Sequence, residues 1–257
     1  KYRINLKYLD KRSPKYRLFV LLILVFAGII LGSLASIIPA LLEGVSLQTI
    51  QENPSAAATL EKVSMIRLML FLNHLFIFLL PAAIFGIYIY RNHFLAGFDF
   101  KRFPALILVI LGIALLFTGY PLVNLAHIIN SKIPLADWML SNEAQVAEML
   151  QKIITTEDLG TIILNVLLIA LMPALGEEFI FRGIVQKNLH LWSKNGHIAV
   201  WLAAVIFSGF HLQFEGFLAR MVLGAILGYT YLFSKSLWVP VILHFLNNLA
   251  PLLIMSV

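Results

Sequence analysis

The sequence predicts an all-α fold, a polytopic transmembrane helix bundle, and three observations carry that prediction. First, the 257-residue chain is 60% hydrophobic and 12% charged, where a soluble domain is about 45–50% apolar and about 25% charged. Second, its apolar residues gather in runs close to the roughly 20 residues a helix needs to cross a bilayer core of about 30 Å. Third, lysine and arginine collect beside the ends of those runs, the usual topogenic pattern. The net charge of +6 therefore points to a lipid bilayer as partner and not to nucleic acid. No cysteine is present, which excludes disulfides, a thiolate nucleophile and cysteine-ligated zinc.

The runs follow one another along the chain. The first, 18–42, comes after a basic stretch; at about 25 residues it exceeds a signal-peptide core, so it reads as a retained membrane helix. Then come 65–90, 103–129, 159–175 running on toward His190, 197–211, 218–233 and 237–255. That makes about seven spans, the fifth and sixth short for a tilted helix. Between the third and fourth runs, 134–154 places Leu135, Trp138, Met139, Val146, Met149, Leu150 and Ile153 at near-helical spacing. Two readings stay open there: an interfacial amphipathic helix on the outer face, or a helical loop packed on the bundle. Trp192, Trp201 and Trp238 read as interface anchors. No internal repeat or domain boundary is visible, so 1–257 reads as one membrane domain.

Connections alternate in charge. Basic ones hold Lys1, Arg3, Lys7, Lys11, Arg12, Lys15 and Arg17, then Arg91, Lys101 and Arg102, then Lys187 and Lys194, then Lys235. Acidic ones hold Glu43, Glu52 and Glu61, then Asp137, Glu143, Glu148, Glu157 and Asp158. The positive-inside rule places the N-terminus in the cytoplasm and the C-terminus outside.

Against this apolar background, Glu177 and Glu178 stand at the end of the run 161–175, with Arg182 following. An intramembrane carboxylate is costly and marks a functional site by default. On a helix Glu178 and Arg182 form an i,i+4 pair in the favourable order. Glu177 then points about 100° away without a partner in its own segment. Such a carboxylate suits general acid or base work. Both acids also fit a plain helix end at the membrane surface. Phe207 and His211 share one helix face, as do His244 and Asn248. A histidine and an asparagine together can donate to one developing oxyanion; each can equally join helices. Counting helical rise puts Glu177 and His244 in the cytoplasmic third, roughly 27 Å from the outer and 10 Å from the inner end of their helices, but His211 roughly 21 Å in, too deep unless its helix starts outside the core or the membrane helices tilt.

Taken together, Glu177-Glu178…Arg182, Phe207…His211 and His244…Asn248 resemble the EExxxR, FxxxH and HxxxN motifs of the CPBP intramembrane proteases. That family includes the Ras-converting CAAX prenyl endopeptidase and bacteriocin-processing or immunity homologues. All three motifs occur in order on separate apolar segments, and the resemblance covers about 159–250. It implies a multi-pass peptidase acting on membrane-associated, prenylated or hydrophobic peptides, with its site open toward the cytoplasm. By the resemblance, Glu177 and His211 activate water, His244 and Asn248 stabilise the oxyanion, and Glu178 and Arg182 support them. No cofactor is certain. Glu177, His211 and His244 could hold zinc or another divalent metal with one position open, but no HExxH is present and the metal-free reading is preferred. The alternative is a non-catalytic membrane protein that binds a peptide or confers immunity through the same polar cluster. A transporter reading lacks paired halves. Asn73, His74, Asn124, His127 and Asn165 read as interhelical hydrogen-bonders or helix-end residues, and Glu215 with Arg220 as a loop ion pair.

Overall fold

The structure is a computed structural model that describes residues 12–46, 48, 63–155 and 158–255. The acidic residues Glu52, Glu61 and Glu157 and the basic Lys1, Arg3, Lys7 and Lys11 lie outside the described residues. Regular structure among the described residues is entirely helical. We label α1 (Pro14–Leu42), α2 (Val63–Gly97), α3 (Leu106–Asn130), α4 (Asp137–Ile154), α5 (Leu159–Ser193), α6 (Gly196–Phe210), α7 (Phe217–Ser234) and α8 (Trp238–Met255). Five of these, α1, α2, α3, α5 and α7, are long and apolar enough to cross a membrane, and α6 and α8 are shorter apolar helices. The sixth apolar segment is thus long enough and the seventh is the shorter one. Large apolar side chains such as Leu22, Phe26, Leu106 and Phe117 are more than 60% exposed, a surface suited to lipid tails.

Local chemistry sets the helix ends. Ser13 caps α1 by accepting the Tyr16 N–H, with Pro14 at the first helical position. Asp158 caps α5 by accepting the Thr161 N–H at 2.7 Å. α5 includes π-helical turns over Val166–Leu171 and Phe179–Gln186, and such turns often accompany functional positions.

The helices have two distinct ends. At the basic end, Lys187 donates to Asp99 Oδ2 and the Gly97 carbonyl, each at 2.7 Å, and Tyr231 donates to the same Asp99 oxygen at 2.7 Å. Burying the Lys187 cation is tolerable because it is paired and hydrogen-bonded. Trp238 stacks on Phe100 at 3.9 Å and donates to its carbonyl. Next to this network lies the main apolar cluster, with Phe85, Tyr90, Phe98, Phe181, Ile184, Phe207 and Leu237 all buried. At the other end, Asn130 joins α3 to the 211–218 turn, donating to the Phe214 carbonyl and accepting the Leu218 N–H.

The segment 134–154 is helical over Asp137–Ile154, and its C-terminal end packs on the bundle. Ile153 and Ile154 of α4 are buried, with Ile153 clustered on Ala40 and Ile66. Asn165 donates to the Ile153 carbonyl and accepts from Arg67, while Ser36 donates to Asn73, so Asn73 and Asn165 act as interhelical hydrogen-bonders. The Glu215–Arg220 loop pair does not form. Arg220 instead donates to the Gln213 side chain and carbonyl, and the Glu215 N–H donates to Glu143 of α4 at 2.6 Å.

Candidate active site

The three motif segments converge. Glu178 and Arg182 are the predicted i,i+4 pair, at 2.6 Å and both essentially inaccessible. Arg182 also donates to the Gly224 carbonyl of α7 at 2.9 Å and lies 4.7 Å from the Phe207 ring centre. One turn on, Gln186 donates to the Gly228 carbonyl at 2.8 Å. Gly224 and Gly228 form a GxxxG face that lets the helices approach this closely. A Cβ at Gly224 would stand 3.0 Å from Phe207, and one at Gly228 2.9 Å from Gln186 Oε1. That GxxxG was legible in the sequence but not singled out there.

Glu178 has a second partner. His244 Nδ1 lies 2.8 Å from its Oε1, and because the carboxylate paired with Arg182 accepts, Nδ1 carries the proton. His244 Nε2 is thereby turned to Glu177, 3.8 Å from Oε2. His211 is arranged alike from the other side. Its Nδ1 donates to the Phe207 carbonyl at 2.9 Å, and its Nε2 stands 3.9 Å from the same Glu177 oxygen. Phe207 meets both rings edge-on, at 5.0 and 5.9 Å. Glu177 Oε2 is buried and without a hydrogen-bond partner.

The depth mismatch noted for His211 disappears here. α5 continues to Ser193, so the α5–α6 hairpin begins roughly 24 Å beyond Glu177, which matches the length of α6. His244 lies only roughly 9 Å from the start of α8. The α5–α6 hairpin therefore extends past the Trp238 level, and α6 does begin beyond the other helices.

Asn248 lines the cleft one turn beyond His244. Tyr120 of α3 donates to Asn247 Oδ1 at 2.9 Å, and Asn247 donates to Asn248 Oδ1 at 3.3 Å. This chain occupies the Asn248 carbonyl oxygen and leaves its NH₂ as the available group. Asn247 thus has the joining role between helices and a place behind the site as well. His74 of α2 comes closer than an interhelical hydrogen-bonder would suggest. It stacks on Phe78 at 4.6 Å, its Nε2 is buried without a hydrogen-bond partner, and a Cβ on Gly176 would meet that nitrogen at 2.6 Å. A bare glycine before the glutamate pair is what allows α2 to lie against this turn of α5.

Glu177, His211, His244 and Asn248 open into a cleft of about 460 Å³, whose apolar wall includes Leu150 and Ile154 of α4, Ile169 of α5 and Leu252 of α8. α4 and the end of α8 thus form one wall of the cleft. The sequence expectation joins a cytoplasmic basic end to a site facing the cytoplasm. In the structure the Asp99 network and the Phe181 cluster fill the bundle on the basic side of the site.

The fit of a metal can be tested on these distances. Two histidines and a carboxylate, each ring fixed through its other nitrogen, make the donor set of a zinc site. A tetrahedral zinc, however, holds its ligand atoms about 3.3 Å apart. Separations of 3.8 and 3.9 Å would open the angle at zinc to about 140°. As placed, the residues do not fit zinc, and among the described residues no group of three or more such side chains is arranged to hold a metal ion. A water molecule with hydrogen bonds of about 2.8 Å spans the same gap at an angle near ~90°.

These features define a membrane-embedded helical protein with a carboxylate, two oriented imidazoles and an amide in one buried cleft. Residues 159–250 match the type II CAAX prenyl endopeptidase Rce1-like family, the same span over which the three motifs occur, so the resemblance read from the motifs is met independently. The chain is also similar to the uncharacterized protein YpbD of Bacillus subtilis, 28% identical over 86 residues, 32% of this chain and 41% of that protein. The alignment thus spans less than half of that relative's length. No solved structure matches.

Proposed function

We propose that the protein is an intramembrane endopeptidase that hydrolyses membrane-tethered or hydrophobic peptides by a metal-free glutamate mechanism. The observation that carries this reading is the His211 Nε2 facing Glu177 Oε2 at 3.9 Å, too far for a direct hydrogen bond and right for a bridging water, with the His244 Nε2 3.8 Å from the same oxygen.

Glu177 takes a proton from water as the oxygen attacks the scissile carbonyl, and His211 orients that water from the other side. The carbon–oxygen bond forms and the carbonyl oxygen takes up the negative charge. His244 Nε2 and the Asn248 NH₂ donate to it, which is the electrostatic work an oxyanion site performs. For His244 to donate there it must be doubly protonated, and the Glu178 carboxylate at 2.8 Å stabilises that cation. The carbon–nitrogen bond then breaks as Glu177 returns its proton to the leaving amine. Glu178 and Arg182 touch none of the reacting atoms and act as positioning residues. The apolar wall of Leu150, Ile154, Ile169 and Leu252 suits an extended hydrophobic peptide.

The test compares protein termini across membranes of cells expressing wild type and Glu177→Gln. New termini only with wild type support proteolysis and identify substrates. Identical termini, with both proteins present and folded, move the reading to a peptide-binding or immunity protein using the same cluster.

A further inference from the structure

Buried polar atoms in a folded protein nearly always have a hydrogen-bond partner, and each one that has none calls for a reason. Among the described residues such atoms gather at one turn of α5: Oε2 of Glu177, Oε2 of Glu178 and, from α2, Nε2 of His74. The two glutamates already have places in the proposed chemistry. His74 has none, and it lies outside residues 159–250, which carry the family match.

Three contacts fix where the His74 ring sits. His74 ends the α-helical part of α2, and the next five residues, Leu75–Leu79, are π-helical, a turn type common at functional positions. The ring stacks on Phe78 at 4.6 Å, and Phe78 in turn meets Phe210 edge-on at 5.3 Å. On the α5 side Gly176 presents no side chain, so the ring lies directly over the residue before Glu177; a Cβ there would stand 2.6 Å from Nε2. The Met172 carbonyl and the charges of Glu177, His211 and His244 all act on this ring, Glu177 the most strongly. The cleft in which Glu177, His211 and His244 meet is lined by other residues. His74 is therefore in place to act on Glu177 without touching a peptide in the cleft.

We propose that His74 is a positioning residue for Glu177, orienting its carboxyl through Nε2 while that carboxyl takes up and returns a proton. The proton transfer rests on the proteolytic reading; the contact between the two residues does not. A neutral imidazole nitrogen donates in one tautomer and accepts in the other. The same nitrogen can thus serve Glu177 as a carboxylate and as a carboxylic acid. The plain structural role, tying α2 to the Met172 carbonyl, would cost stability and leave Glu177 unaffected.

The test uses the full chain in detergent, with melting temperatures measured for every variant. His74→Phe keeps the stack on Phe78 and removes both nitrogens. His74→Gln can place a polar atom at the level of Nε2, and His74→Asn reaches only that of Nδ1. With a peptide identified by the comparison of termini, His74→Phe is expected to lower kcat about tenfold or more with KM near wild type. His74→Gln should recover most of that loss and His74→Asn little of it. In a Glu177→Gln background His74→Phe should cost nothing further, the non-additivity of two residues that act through one group. Wild-type kcat in His74→Phe, or a full additional loss in the double variant, overturns the proposal. A second readout needs no turnover. The infrared difference spectrum between wild type and Glu177→Gln isolates the Glu177 carboxyl band; His74→Phe is expected to shift that band and His74→Gln to keep it near its wild-type position. An unshifted band in His74→Phe, or an equal shift in both variants, overturns the proposal. The expected shifts in a protein without turnover would fail the proteolytic reading and leave His74 as the group that orients Glu177.

Discussion

His244 donates through Nδ1 to Oε1 of Glu178 at 2.8 Å, the same oxygen that Arg182 holds at 2.6 Å. One buried carboxylate oxygen thus fixes the imidazole of one motif and the guanidinium of another. Glu178 is the joint of the site, and Glu177 beside it is left free to act.

Arg182→Ala leaves Glu178 buried with its charge uncompensated, and breaking a buried pair this way costs about 3–5 kcal/mol. The melting temperature in detergent should fall clearly. Arg182→Lys keeps the charge but cannot hold both Glu178 and the Gly224 carbonyl in the geometry of a guanidinium fork, so it should fall in between. Unchanged melting in both variants would count against the pairing.

Gly176→Ala places a methyl group against the His74 ring and Phe78, at 2.6 and 3.0 Å from their nearest atoms. Overpacking of this kind costs about 1–3 kcal/mol. The methyl group also pushes the turn that carries Glu177 away from the two histidines. A lower melting temperature together with lost turnover is expected, and a fully active, equally stable variant would remove this constraint from the account.

Asn247→Ala removes the donor that occupies Asn248 Oδ1 and breaks the link to Tyr120. On the proposed role of Asn248 as an oxyanion donor, kcat should drop by about tenfold or more while KM stays near wild type, a split expected for an interaction made only in the transition state. Tyr120→Phe should show a weaker version of the same split. A change in KM alone would assign Asn247 to substrate binding.

Because the Glu177–His211–His244 spacing is too wide for zinc, the purified protein should keep its turnover after exhaustive chelation and carry no stoichiometric metal by elemental analysis. Loss of activity on chelation, restored by zinc, would show that the triad closes around a metal.

Much of this was legible in the sequence because its signals were local. The i,i+4 spacing of Glu178 and Arg182 gave their pairing, the apolar runs gave the helices, and the shared faces of Phe207 with His211 and His244 with Asn248 gave residues that meet at the cleft. What was not legible depends on how helices pack. His244 choosing Glu178 for its Nδ1 is a contact across 66 residues, and the Glu143–Glu215 N–H bond spans 72; no spacing within one segment encodes either. Depth along a helix can be counted from sequence, but which end of the bundle the apolar core fills cannot.

The central claim is that Glu177 is the base that activates a water oriented by His211. It is tested most directly by single-turnover cleavage of an identified peptide by purified wild type and Glu177→Gln, at matched melting temperatures. The account predicts a loss of about 10²–10⁴-fold, the range for removing a positioned general base. Equal turnover by the two proteins would contradict it.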